Sequence, residues 1–235
     1  MHDVTIHSDF VLPPPPTASV AVHDSAARFP VRRIICVGRN YAAHAREMGR
    51  DPDREPPFFF MKPADTVVDD GTTVPYPPQT RNLHHEIELI VAIGRGGTDI
   101  PAERALDHVW GYGVGLDLTR RDLQLQARER GQPWDWGKGF DLSAPIAPLR
   151  PVSEVGHPNA GRIWLAVDGV IKQDSDISKL IWPVPALISI CSQSIALKAG
   201  DIIMTGTPEG VGPVQRGEVM TGGIEGLGEI RISVE

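Results

Sequence analysis

Residues 84–93 read HHEIELIVAI, and their side chains alternate between two chemical kinds. Successive side chains of an extended strand point to opposite faces, so Glu86, Glu88 and Ile90 share one face while Ile87 and Leu89 share the other. The pattern predicts a strand that is anchored on an apolar core by one face and carries two carboxylates on the other. An ordinary solvent-facing strand edge with two unremarkable acids is the alternative.

Residues 109–118 read VWGYGVGLDL and predict a second strand, with Gly111, Gly113, Gly115 and Asp117 on one face. Glycines on one face leave room above a sheet, so we expect a ligand to approach there. Three carboxylates around such a space repel one another unless a cation lies between them or one is protonated. Oxygen-only ligands favour Mg²⁺, Mn²⁺ or Ca²⁺ over zinc.

The remaining pattern predicts short strands and a few helices. Gly and Pro account for 24 and 22 of the 235 residues, which indicates many tight turns. We expect a strand at 33–38, a helix at 41–48 capped by Asn40, and a hairpin turn at Asp168 and Gly169. A capping box of Thr119 and Asp122 predicts a helix that ends near residue 131, and another helix is expected at 186–197. The fold class predicted is α+β and β-rich, with an extended N-terminal arm at 1–30 and one domain at 31–235.

Composition excludes several classes of protein. The formal net charge of -7 and the absence of a Lys/Arg cluster argue against a nucleic-acid partner. Cys36 and Cys191 are the whole cysteine complement, which excludes a disulfide scaffold and fits a reducing compartment. The apolar stretches are far shorter than the roughly 20 residues of a membrane span. Because the first residues also lack a signal-peptide pattern, we expect a soluble cytoplasmic protein with no membrane partner.

Two further groups of residues have catalytic potential. His44 and Glu47 lie at i and i+3 of the predicted helix, where a carboxylate could orient an imidazole as a general base; an exposed surface pair is the alternative. Lys138 lies between two glycines and follows two tryptophans, an arrangement suited to stabilising an enolate or oxyanion. Lys62 is a weaker candidate, for which we expect a structural role.

Three further groups of residues are candidates for binding a ligand. Arg121 and Gln124 share a helix face just after Asp117, although solvated polar residues at a helix surface are an equal alternative. The loop 205–212 (TGTPEGVG) offers backbone N–H groups and hydroxyls to an anion, yet it lacks the ending of a nucleotide-binding P-loop. His84 and His85 could be ligands, but bonding to backbone is the expected state of such histidines.

Six ordered motifs resemble one family. VGRNYAAHAREMG, PPFFFMKPADTVV, HHEIEL, GLDLTRRDLQ, PWDWGKGFD and TGTPEGVGPV are similar to motifs of the fumarylacetoacetate hydrolase family, and the likeness covers about residues 31–235. Within it, the likeness is greatest to bacterial members that cleave fumarylpyruvate during aromatic-acid breakdown through gentisate. The resemblance implies a mixed β-sandwich or roll, a homodimer, Mg²⁺ or Mn²⁺, and cleavage of a C–C bond in an acylpyruvate.

The resemblance also implies roles for individual residues. The metal ligands would be Glu86, Glu88 and Asp117, the catalytic residues His44, Glu47 and Lys138, and the substrate-binding residues Arg121, Gln124 and Thr207. Two alternatives stay open at this point. The same site could decarboxylate oxaloacetate or tautomerise or hydrate a related oxo acid, because those reactions share an enolate intermediate. A non-enzymatic module that binds a divalent metal is the second alternative.

Overall fold

The computed structural model describes residues 10–42 and 56–235, and strands dominate its regular structure. The strands are β1 (Ser19–Ala21), β2 (Arg28–Pro30), β3 (Arg33–Gly38), β4 (Phe58–Lys62), β5 (Val67–Asp69), β6 (Thr73–Val74), β7 (Leu83–His85), β8 (Ile87–Ile93), β9 (Val109–Leu116), β10 (Thr119–Arg120), β11 (Ala144–Ile146), β12 (Arg150–Pro151), β13 (Arg162–Val167), β14 (Val170–Asp176), β15 (Asp201–Met204), β16 (Gly212–Pro213), β17 (Val219–Ile224) and β18 (Gly228–Val234). The helices are α1 (Arg121–Glu129), α2 (Asp135–Lys138), α3 (Val152–Val155) and α4 (Val184–Ser194), with 3-10 turns at Ala64–Thr66, Ala102–His108 and Ile177–Lys179.

The two largest sheets share one apolar core. The larger follows the order β4-β3-β15-β8-β9-β11-β5, with β12 also paired to β9, and the smaller follows the order β14-β13-β17-β18-β6. Parallel pairs β3–β15 and β5–β11 occur beside antiparallel ones in the larger sheet. The arrangement confirms the predicted α+β, β-rich class with a mixed sandwich or roll.

Strand β8 is buried on both faces. Ile87, Leu89 and Val91 pack in the core between the two large sheets, as the alternation predicted. On the other face, Ile90 and Ala92 belong to a second apolar cluster that includes residues of β3 and β15. The carboxylates that precede Ile90 on this face are therefore held at the end of a rigid, fully buried strand.

The N-terminal segment packs on that second cluster. Strands β1 and β2 pair with each other, and Val20 and Phe29 are buried beside Ile34. The backbone of Leu149 accepts a hydrogen bond from His23 at 2.9 Å and so ties the hairpin to the domain. Residues 11–17 are exposed and largely irregular. The division into an arm at 1–30 and a domain at 31–235 stays a prediction.

The glycines of β9 do not leave room for a ligand, so that expectation was wrong. A Cβ atom at Gly111 would lie 2.3 Å from the carbonyl oxygen of Arg150, and one at Gly115 would lie 2.6 Å from Ile90 Cδ1. The space above these residues is filled by the adjoining backbone and by the second core. The glycines are needed for close packing, not for ligand access.

The bounds of two helices were predicted closely, whereas the predicted N-terminal cap of one of them was wrong. Helix α4 spans Val184–Ser194 where 186–197 was expected, and α1 spans Arg121–Glu129. The predicted capping box is absent, because Thr119 Oγ1 donates to the carbonyl of Asp117 and the Asp122 carboxylate accepts from Thr80 and Arg81. The Asp168 and Gly169 turn joins β13 to β14 as predicted.

The helix expected at 41–48 lies mostly outside the described residues, which end at residue 42 on that side. Within residues 10–42 and 56–235, none of the helices has both the length and the apolar composition of a membrane span.

The packing of β9 gives a stability prediction. Gly111→Ala should lower the free energy of unfolding by about 1–3 kcal/mol, because its Cβ meets backbone that cannot move aside. Gly113→Ala is the matched control on the same face: its Cβ meets the movable side chain of Leu149, at 2.8 Å. Thermal or urea unfolding of both variants checks this, and a loss for Gly113→Ala as large as for Gly111→Ala would contradict it.

Candidate metal centre and adjoining cavity

The predicted acidic cluster is formed by two paired strands. Glu88 lies in β8 opposite Gly115 of β9, and the backbone N–H of Asp117 donates to the carbonyl of Glu86 at 2.9 Å. Oxygens of Glu86, Glu88 and Asp117 lie within 4.8 Å of one another, and all three residues are buried. The structure thus brings together the three residues that the sequence nominated as metal ligands.

Within residues 10–42 and 56–235, three cationic side chains surround this cluster. Lys138 Nζ, at the end of α2, lies 2.8 Å from Glu86 Oε2 and 2.5 Å from Asp117 Oδ2. Arg121, at the start of α1, donates to Glu86 Oε1. Lys62 Nζ, at the end of β4, lies 2.9 Å from Asp117 Oδ1, without the alignment of a hydrogen bond. Two buried acids are therefore bracketed by positive charge.

Lys62 has the structural role that was expected, and it also faces Asp117, a contact that the sequence analysis missed. Its ammonium donates to the backbone oxygens of Leu118 and Lys138 and to Ser143 Oγ. These contacts fix the backbone on both sides of the site while its charge faces Asp117. Nothing in the sequence around Lys62 shows that its Nζ contacts residues 117–118, 138 and 143, which are far away in the chain.

Glu88 is held by the glycine-rich loop. The backbone N–H of Gly206 donates to Glu88 Oε2 at 2.7 Å. Gly206 has a φ of +96°, and a Cβ there would lie 2.8 Å from Asn40 Cβ, so a glycine is required for this approach. Burial, reinforced by the charge of Asp117, raises the pKa of Glu88 well above its usual range.

The charge on Lys138 is stabilised by the same carboxylates. Burial alone lowers the pKa of Lys138, but the neighbouring charges of Asp117 and Glu86 outweigh that effect and raise the pKa above its ordinary value. Lys138 is therefore a fixed ammonium at the edge of the cluster.

The candidate substrate-binding residues line the cavity in front of the acids. Arg121 Nη1 donates to Gln124 Oε1, so the two predicted neighbours on α1 form one unit. Thr207, buried in the loop after β15, lines the same cavity as Glu86 and Glu88.

An aromatic cavity adjoins this one. Phe58, Phe60 and Trp134 line a space of about 510 Å³, and Lys138 lies on the boundary between the two. Trp134 contacts both phenylalanines, with ring centroids 5.2 and 5.7 Å away. The sequence analysis assigned the run FFF only to a strand, because its proximity to Lys138 arises in the fold and not in the sequence.

The structure describes two of the three histidines that the sequence analysis considered, His84 and His85. His44 and Glu47 lie outside the described residues. His84 is bonded to Asn82 Oδ1 and accepts from Arg121 Nε, and burial together with the Arg121 charge lowers its pKa to about 4. His85 contacts Gln173 Oε1 at 3.0 Å. Both histidines therefore bond to side chains, and the expectation of backbone partners was wrong.

The donor set fits a hard divalent cation. Three carboxylates supply oxygen ligands only, which suits Mg²⁺ or Mn²⁺. Asp117 Oδ1 is buried and without a hydrogen bond. The ion pair with Lys62 leaves the lone pairs of Asp117 Oδ1 without a hydrogen bond, so this oxygen can still bind a metal ion.

Comparisons with known proteins agree with this site. The family described as fumarylacetoacetate (FAA) hydrolase C-terminal matches residues 33–235. A fumarylpyruvate hydrolase from Pseudomonas aeruginosa, solved in complex with Mn²⁺ and pyruvate, has a TM-score of 0.95 and 58% identity over 96% of this chain and 99% of that one. The mitochondrial oxaloacetate tautomerase of Arabidopsis thaliana is 44% identical, over 86% of this chain and 91% of its own length. The mitochondrial oxaloacetate decarboxylase of Dictyostelium discoideum is 43% identical, over 83% and 90%.

The chain belongs to the fumarylacetoacetate hydrolase family, which confirms the resemblance seen in the sequence motifs.

The acidic cluster predicts metal binding. We expect the protein to bind one Mn²⁺, and Glu86→Gln, Glu88→Gln or Asp117→Asn to weaken that binding at least about tenfold, since each removes a charged ligand. Calorimetric titration measures the affinity, with Glu129→Gln on the exposed end of α1 as the control. An unchanged Mn²⁺ affinity in all three variants would show that this cluster is not the metal site.

Proposed function

We propose that this protein is a divalent-metal-dependent hydrolase that cleaves the C–C bond of an acylpyruvate, with fumarylpyruvate converted to fumarate and pyruvate. The buried set Glu86, Glu88 and Asp117, bridged by the ammonium of Lys138, is the observation that carries the proposal. The likeness to the Pseudomonas aeruginosa fumarylpyruvate hydrolase over almost the whole of both chains supports the choice of substrate.

Glu86, Glu88 and Asp117 would hold the Mg²⁺ or Mn²⁺ ion, which when bound supplies a Lewis acid for the oxygens of an oxo acid. Lys62 and Arg121 orient two of these carboxylates, because each places a cation against one of them. Glu88, whose pKa is raised by burial, must lose its proton before it can bind a metal ion.

Two adjoining cavities would bind different parts of the substrate. Arg121, Gln124 and Thr207 face the space in front of the acids and would bind the pyruvate end of the substrate. The planar acyl group would stack in the adjoining aromatic cavity formed by Phe58, Phe60 and Trp134. The reacting carbons would then lie beside Lys138, which lines both cavities.

The reaction requires a base and an electron sink. One water adds through its oxygen to the distal carbonyl carbon as a base removes its proton. The C–C bond then breaks, the acyl group leaves as a carboxylate, and the electron pair passes to the pyruvate enolate, which takes up a proton to give pyruvate. The ammonium of Lys138 stabilises the developing enolate charge. We assign the base to His44, oriented by Glu47, on the family resemblance.

Oxaloacetate chemistry is the second candidate function. Curated relatives at 43–44% identity are an oxaloacetate tautomerase and an oxaloacetate decarboxylase, and an enolate is common to all these reactions. The aromatic cavity favours the acylpyruvate, because oxaloacetate has no acyl extension to fill about 510 Å³. A module that only binds metal would require neither this cavity nor a buried lysine.

The proposal extends to the setting of the enzyme. We assign it to a homodimer in the cytoplasm that acts in aromatic catabolism through gentisate, as the family resemblance implies. The acidic composition supports the absence of a nucleic-acid partner.

A substrate panel tests the proposed function. Initial rates with fumarylpyruvate, acetylpyruvate, maleylpyruvate and oxaloacetate under one metal condition should give the highest kcat/KM for fumarylpyruvate, and chelation should abolish turnover. A higher kcat/KM for oxaloacetate would replace the hydrolase with the second candidate, and full activity of a metal-free sample would refute both.

Lys138→Met should lower kcat far more than it raises KM, because the charge of Lys138 matters most as the enolate forms. We expect a loss of at least about 100-fold in kcat, in the range seen when one stabilising donor is removed from an oxyanion site. Lys198→Met, which removes an exposed lysine, is the matched control. An unchanged kcat for Lys138→Met removes this residue from the mechanism.

His44→Ala separates the two candidate functions. The variant should lose fumarylpyruvate hydrolysis while Mn²⁺ affinity stays at the wild-type value, because the base acts on water and not on the metal. Decarboxylation of oxaloacetate should survive better, since that C–C bond breaks without an attacking hydroxide. Hydrolysis at the wild-type rate would refute the assigned base.

A further inference from the structure

Gln173 is a fully buried amide that joins the two large sheets. Its Oε1 accepts from the backbone N–H of Ile87 at 3.1 Å and contacts His85 Nδ1 at 3.0 Å. Its Nε2 donates to Thr207 Oγ1 at 2.8 Å and to the carbonyl of Pro208 at 2.9 Å. The side chain therefore holds the residues on either side of Glu86 and, at the same time, the loop that lines the catalytic cavity.

The smaller sheet contains a local irregularity that aims Gln173 inward. Leu165 of β13 pairs with Gln173, while the next residue, Ala166, pairs with Ile171, so Lys172 is an extra residue in β14. A bulge of this kind turns the following side chain to a new direction. Ile171 and Lys172 are exposed, whereas Gln173 is completely buried.

The orientation of the Gln173 amide is fixed by backbone partners. The N–H of Ile87 can only donate and the carbonyl of Pro208 can only accept, so Oε1 and Nε2 cannot be exchanged. Thr207 Oγ1 consequently accepts from Gln173, and its own proton is left for another partner. No described residue accepts that proton, and Thr207 lines the cavity that contains the acidic cluster.

We propose that Gln173 is a positioning residue that makes the Thr207 hydroxyl a hydrogen-bond donor to an anionic oxygen of the substrate. The inference rests on the proposed function, because it assumes that an oxo acid occupies this cavity. Thr207 then recognises a carboxylate or oxo oxygen, which can accept but has no proton to give. Gln173 itself does not touch the substrate and acts through Thr207.

A second consequence concerns His85. Because Gln173 Oε1 has no proton, His85 Nδ1 carries the hydrogen of their contact, and Nε2 of the neutral ring bears the lone pair. Nε2 is buried and without a hydrogen-bond partner among the described residues. The expected form is the Nδ1–H tautomer.

Pyruvate binding to the Mn²⁺-loaded protein tests the proposal without turnover. Gln173→Glu keeps the acceptor for Ile87 but faces Thr207 with an oxygen, which takes the hydroxyl proton away from the substrate. We expect the pyruvate Kd to rise about tenfold, as for the loss of a hydrogen bond to a charged group. Thr207→Val should give a similar rise and Thr207→Ser little change.

The double variant distinguishes positioning from a structural role. If Gln173 acts through Thr207, Gln173→Glu should raise Kd no further in the Thr207→Val background. Ser175→Ala, the next inward-facing position of β14, is the matched control and should leave Kd unchanged. An equal rise in both backgrounds, an unchanged Kd for Gln173→Glu alone, or an equal rise for Ser175→Ala would overturn the proposal.

A spectroscopic measurement on the wild-type protein covers the case in which Gln173→Glu does not fold. Long-range ¹H–¹⁵N spectra, assigned with His85→Gln, should show a protonated Nδ1 at His85; a ring protonated at Nε2 alone would overturn the amide orientation.

If the wild-type protein cleaves no acylpyruvate, the proposed function fails, while pyruvate affinity and the His85 tautomer still decide the role of Gln173. Absence of pyruvate binding would overturn both.

Discussion

Three carboxylates share one buried space, and a buried charge is stable only when a cation or a hydrogen-bond donor faces it. Lys138 spans two of the acids, Lys62 and Arg121 each face one, and the third, Glu88, receives the N–H of Gly206. Strands, two helices and a loop must all meet at this point to supply these cations and this donor. The requirement explains why β4, α1, α2 and the loop after β15 converge on the end of β8.

The two-layer architecture makes this arrangement rigid. Strand β8 is buried on both faces, so Glu88 cannot withdraw into solvent when no ion is bound. The smaller sheet adds a contact of its own, since Gln173 reaches from β14 to the backbone of Ile87 and to Thr207. The acids of the cluster are thus positioned by strands of the larger sheet, Thr207 is also held from the smaller one, and the aromatic cavity lies beside Lys138.

The alternation around Glu86 and Glu88 predicted the central strand and the acidic cluster, because a period of two fixes which side chains share a face. It could not show what covers that face. The glycines of β9 were taken as room for a ligand, yet they accommodate packed backbone. The contact of Lys62 with Asp117 was missed, since the two residues are far apart in the chain. Gln173 was missed, since it is turned inward by a bulge that no local pattern signals. Thr119 suited a helix cap in sequence but donates to Asp117 instead.

We expect Glu86, Glu88 and Asp117 to form one preorganised metal centre. Anomalous diffraction at the manganese edge, from crystals grown with Mn²⁺, locates the bound ion. We expect one strong peak within bonding distance of all three carboxylates, about 2.0–2.3 Å from an oxygen of each. A peak bound elsewhere, or no peak at this position at saturating Mn²⁺, would show that the three acids do not form a metal centre.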